Sequence, residues 1–66
     1  MTSRVIFSNR NGYETSETLS ADPYNCIRFL LQQQHKLFSQ GNLVNIGKGY
    51  EYMFPNGDII RAEQIQ

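Results

Sequence analysis

The sequence predicts a small α+β domain: an antiparallel sheet of four to five strands with one helix packed on one face, in the order β-β-α-β-β-β. Three observations carry this. The stretch opened by Asp22-Pro23 and closed by Gly41 holds apolar residues at helical spacing. Short runs rich in β-branched and aromatic residues lie on either side of it. Asn11-Gly12 and Pro55-Asn56-Gly57 punctuate those runs where hairpins turn.

Val5-Ile6-Phe7 is short and made of β-formers, so it reads as the first strand. Asn9-Arg10-Asn11-Gly12 is a turn, because Asn-Gly tolerates the positive φ that tight hairpins require. Tyr13 to Leu19 then alternates Tyr13, Thr15, Glu17 and Leu19 against Glu14, Ser16 and Thr18. The second set is wholly polar, which suits a strand near a sheet edge.

Asp22 offers a carboxylate to the unpaired N–H groups of a first helical turn, and Pro23 at the first position has no N–H to waste. Ser20 is the competing cap. Ile27, Leu30, Leu31, Leu37 and Phe38 recur on one face, shared with Tyr24 and Cys26, so the helix is expected from Pro23 to about Gln40. Gly41 suits the left-handed residue that follows a helix. Gln34 interrupts the apolar stripe, and Phe29 falls on the opposite, polar side among Arg28, Gln32, Gln33 and Lys36. Beyond the helix come a strand at Leu43–Ile46 and a bend at Gly47-Lys48-Gly49. A strand carrying Tyr50, Tyr52 and Phe54, a hairpin at Pro55-Asn56-Gly57 and a last strand from Asp58 to about Ile65 complete the pattern.

Sixty-six residues make one expected domain over 1–66, near the size at which a core supplies only about 3–5 kcal/mol net. One cysteine, Cys26, permits no internal disulfide, and one histidine, His35, leaves too few soft ligands for a usual zinc site. No cofactor and no metal is therefore expected. Six basic and six acidic residues balance, which argues against a nonspecific nucleic-acid binder. No apolar run approaches the ~20 residues of a membrane span, and Met1-Thr2-Ser3-Arg4 runs straight into a strand pattern without a signal-peptide apolar region. With a lone thiol, the expectation is a cytoplasmic protein with no membrane partner.

Catalytic constellations are weak. Cys26 and His35 lie on opposite sides of the expected helix, about 13 Å apart along its axis, too far for a nucleophile–base dyad. Glu14, Glu17, Asp22, Glu51, Asp58 and Glu63 are scattered, and a fold this small has little room for a pocket of ~300 Å³. Gly47-Lys48-Gly49 lacks the spacing and the following helix of a phosphate-binding loop. No catalytic residue is assigned, and the expectation is a non-enzyme.

Alternation along strands supplies the functional expectation. If Val5, Phe7, Tyr50, Tyr52 and Phe54 face the helix, then Ile6 and Met53 face away, as does one of Ile59 and Ile60. One helix covers one sheet face, so that second apolar face calls for a protein partner or a second copy of the chain. Ile6, Phe29, Met53 and Ile59 are the candidate partner-binding residues, and the expected function is that of a small non-enzymatic regulator or inhibitor that acts by binding a protein partner and also self-associates as a homodimer. A second reading is a nucleic-acid-binding module in which Arg4, Arg10, Lys48 and Arg61 share a sheet with Tyr50 and Tyr52, although the RNA-binding pattern of basic, Gly and aromatic residues is absent. A third is a structural homodimer with no separate target.

Overall fold

The structure is a computed structural model that describes residues 1–33 and 41–66. Its elements are β1 (Ser3–Ser8), β2 (Glu14–Leu19), α1 (Pro23–Gln33), β3 (Asn42–Asn45), β4 (Gly49–Met53) and β5 (Ile59–Gln64). The five strands form one antiparallel sheet in the order β2-β1-β5-β4-β3, and α1 packs against one face. The chain thus starts on β1, turns out to the edge strand β2, and after the helix returns strand by strand from the other edge, β3 to β4 to β5.

Turn chemistry sets the register. Gly12 N–H donates to the Asn9 carbonyl at 3.1 Å and Asn9 N–H to the Tyr13 carbonyl at 3.0 Å, with Gly12 at φ 88°. The same pattern recurs at the β4–β5 hairpin: Gly57 N–H donates to Phe54 at 3.0 Å and Phe54 N–H to Asp58 at 2.8 Å, with Gly57 at φ 96°. Each is a type I turn closed by a glycine bulge. Asn9 Oδ1 also accepts from the Asn11 and Tyr13 N–H groups, which holds the first turn without help from the core. In the β3–β4 connection, Gly47 takes φ 90° and donates to Asn45 Oδ1 at 2.8 Å.

Asp22 is the helix cap. Its carboxylate accepts from the Asn25 N–H at 3.3 Å and from the Asn25 side-chain amide, while its carbonyl accepts from the Cys26 N–H at 3.0 Å. The side-chain bond from Asn25 is the main cause holding the Asp22 carboxyl below its ordinary value of 3.8. Pro23, Cys26, Ile27 and Leu31 are the buried residues of α1, spaced as one helical face requires. They meet Val5, Tyr52, Phe54, Ile60 and Ala62, with Phe7, Leu19, Leu30, Leu43 and Tyr50 packed around them. The Tyr52 and Phe54 rings meet edge to face at 5.0 Å, and exposed Tyr24 meets Tyr50 in the same way at 5.6 Å. Ser3 is buried and donates its hydroxyl to the Ala21 carbonyl at 2.6 Å, tying β1 to the approach of the helix.

Several expectations change. Gly41 is not left-handed; it is required because a Cβ there would strike the Met53 carbonyl and the Tyr52 ring, so close approach selects glycine. The second strand starts at Glu14, since Tyr13 closes the turn, and β3 begins one residue earlier than Leu43. Gly49 belongs to β4, not to the bend before it. The expected helix beyond position 33, with Gln34, His35, Leu37 and Phe38, lies outside the described residues.

Two predictions follow from these contacts. A Cβ at Gly49 would fall on the Ala62 carbonyl, which is backbone and cannot swing aside. Gly49→Ala is expected to cost about 1–3 kcal/mol in urea unfolding, whereas Lys48→Ala next to it changes stability by less than about 0.5 kcal/mol. The Asp22 carboxyl binds its proton less readily in the folded state, so its stabilisation is complete above 3.8 and is lost as pH falls through the lower folded value. Asp22→Ala is expected to flatten the melting-temperature profile in that acid range, and an unchanged profile would count against the cap.

Candidate interaction surface

Strand register places every side chain of the sheet on one of two faces. The helix-covered face carries Val5 and Phe7 from β1, Tyr50 and Tyr52 from β4, and Ile60 and Ala62 from β5. Their sequence neighbours form the other face, and no helix or strand among the described residues lies over it.

That far face is ordered in rows across the strands. The middle row reads Ser16, Ile6, Arg61, Glu51, Val44 from β2 to β3. The row toward the two glycine-bulge turns reads Glu14, Ser8, Ile59, Met53, Asn42. The row toward the chain termini reads Thr18, Arg4, Glu63, Gly49. Ile6 and Ile59 are half-buried by their neighbours, while Met53 is 44% and Val44 52% exposed. Between Ile6 and Val44 lie Arg61 and Glu51, both half-buried, and Arg4 and Glu63 follow in the row toward the chain termini. Arg61 Nε is shielded from solvent and finds no acceptor among the described residues. Glu63 accepts from Lys48 Nζ at 3.1 Å, and that bond is the main cause lowering its carboxyl below the ordinary value.

Of the four partner-binding candidates, Ile6, Met53 and Ile59 therefore share one surface. Phe29 does not: it is 51% exposed on α1, which packs on the opposite side of the sheet. Sequence reasoning passed over Val44, although its alternation with Leu43, which packs toward the core, was the available signal. Three of the four nucleic-acid candidates, Arg4, Arg61 and Lys48, are placed around Glu63, and Arg10 is apart from them. Arg4 and Arg61 sit on the far face, Arg10 in the β1–β2 turn, and Lys48 in the β3–β4 connection at the opposite end of the sheet. Tyr50 and Tyr52 lie on the helix side, so the aromatics and the two sheet arginines occupy different faces.

The helix side also opens toward the edge strand β2. A groove bounded by Val5, Phe7, Leu30, Ile60 and the β2 residues Thr15 and Glu17 lies where α1, resting on β1, β4 and β5, stops short of the edge strand. Among the described residues, no group of three or more His, Cys, Asp or Glu side chains is placed to hold a metal ion, and no helix is long and apolar enough to cross a membrane. Comparison with known proteins finds no matching family model, no similar curated protein and no similar solved structure.

Cys26 is 1% exposed, and burial pushes its thiol above the ordinary value of 9.0. Its Sγ donates to the Ala21 carbonyl at 3.6 Å. A covered, protonated thiol is a poor nucleophile. Iodoacetamide is expected to label the native chain far more slowly than the urea-unfolded chain, and equal rates in the two states would contradict this burial.

Proposed function

We propose that this chain is a non-enzymatic protein-binding module, of the regulator or inhibitor type, that engages its partner through the far face of the sheet. The observation that carries the reading is the band of Ile6, Ile59, Met53 and Val44, set among both signs of charge. Burying an aliphatic side chain of this size stabilises a contact by about 1.5–3 kcal/mol. Arg61 and Glu51 lie within that band, between Ile6 and Val44, so a partner must match charge as well as apolar area. A cytoplasmic setting suits a chain whose single cysteine is a buried free thiol.

The nucleic-acid reading has less support. Stacking on single-stranded bases needs aromatics beside the cations, and here Tyr52 and Phe54 are buried in the core, on the face away from Arg4 and Arg61.

Affinity capture with the immobilised chain tests the proposal. The wild type and Phe29→Ala are expected to retain the same specific protein from the native host, and an Ile6→Glu/Met53→Glu variant of unchanged circular dichroism is expected to lose it. Capture unaffected by the double glutamate variant would refute the assignment of the far face. A salt-sensitive gel shift with single-stranded nucleic acid, abolished by Arg4→Ala and Arg61→Ala, would favour the alternative instead.

A further inference from the structure

The far face carries its charges in an order that suits one partner in particular. We propose that it pairs face to face with a second copy of the same chain, about a two-fold axis parallel to the strands and midway between β4 and β5, so that Arg61 of each copy meets Glu51 of the other. This rests on the reading of the far face as the binding surface and specifies what occupies it.

The register selects the axis. A two-fold in that position lays β5 over the partner's β4 and β1 over the partner's β3 while keeping each row level with itself. In the middle row Arg61 then faces Glu51 and Ile6 faces Val44. In the row toward the glycine-bulge turns Ile59 faces Met53, and Ser8 faces Asn42. In the third row Glu63 comes over Gly49, which has no side chain to obstruct it. In the first two rows charge meets opposite charge, apolar meets apolar and polar meets polar, while in the third row Arg4 lies level with Ile46, past the end of β3. The remaining strand, β2, falls outside the overlap, and it is the one whose far-face residues, Glu14, Ser16 and Thr18, are wholly polar.

Other axes do worse. Any two-fold that lays β5 on itself in level register sets Arg61 against Arg61. A two-fold within the interface plane but across the strands, through the middle row, also sets Glu51 against Glu51. One midway between β1 and β5 sets Ile6 against Arg61. Like charges facing one another across a dry contact cost several kcal/mol, which excludes the first two arrangements, and the third leaves the Arg61 guanidinium facing an apolar side chain with no carboxylate opposite it. A carboxylate approaching from above offers the forked acceptor that a guanidinium matches.

Area sets the expected strength. Four overlapping strands at about 4.8 Å and about five residues at about 3.3 Å cover roughly 19 by 17 Å of sheet. That extent, about 320 Å² of flat sheet per copy before corrugation, is below the roughly 500 Å² per partner of a stable specific interface, so weak association in the high micromolar range is expected. Aligned sheets cross at about 30°, which keeps the central Arg61–Glu51 row in contact and splays the corners.

Sedimentation equilibrium on the 66-residue chain tests this. The wild type is expected to approach twice its 7.6 kDa mass at high micromolar concentration. Arg61→Glu alone and Glu51→Arg alone should each weaken the dimer by about tenfold or more. An equimolar mixture of the two should restore it, because both intermolecular contacts become attractive in the mixed dimer. The chain carrying both changes should dimerise with itself, which also shows that the altered sheet folds. A wild type that stays monomeric would overturn self-pairing while leaving capture of another protein through Ile6 and Met53 intact. A wild-type dimer whose two single variants gain nothing on mixing would overturn this register.

Discussion

A pleated sheet has two faces, and the described part of this chain has one helix with which to cover them. Everything else in the structure follows from how residues are divided between the two sides. Alternation sends Val5, Ile60, Ala62 and Tyr52 toward Ile27 and Leu31, where all six are essentially removed from solvent. The same alternation sends Ile6, Ile59 and Met53 the other way. A core of this size supplies only about 3–5 kcal/mol net, so leaving several aliphatic side chains partly wet forgoes stabilisation of the same order. The proposed protein-binding role is an account of such residues that the fold by itself does not give.

The edges show a complementary division of labour. β2 exposes five of its six residues and carries Glu14 and Glu17, which discourages strand-to-strand pairing along that side. Its neighbour β1 is sheltered between β2 and β5, and it brings Ile6 to the face rather than to an edge. On that side of the sheet the apolar side chain therefore lies on the flat face and not at the rim. In the proposed pairing the Arg61–Glu51 row is the part that discriminates between registers, because apolar pairs alone tolerate sliding.

Most of the architecture was legible in the residues because each boundary has a local cause. Asn9 to Gly12 and Phe54 to Asp58 close their turns with their own hydrogen bonds, and Asp22-Pro23 starts the helix with its own carboxylate. Glycines 41 and 49 were harder to read, since the reason for each lies across the fold: one passes over Tyr52, the other lies against Ala62. A sequence shows that glycine is present but not which backbone approaches it. The candidate surface was partly legible for the same reason. Period-two alternation placed Ile6, Met53 and one of Ile59 and Ile60, but strand order was needed to set them side by side and to add Val44 from the far edge. Phe29 stood out from a polar helix side just as clearly, yet its position on α1 separates it from the other three.

The most direct measurement of the central claim is a concentration series of methyl and amide NMR spectra on the intact chain. Progressive shifts at Ile6, Ile59, Met53, Val44 and Arg61, with Phe29 and the outer side of α1 unmoved, are the expected result. Spectra in which the far-face signals stay constant while those around Phe29 move would contradict the account, because the uncovered side of the sheet would then not be where this molecule meets a partner.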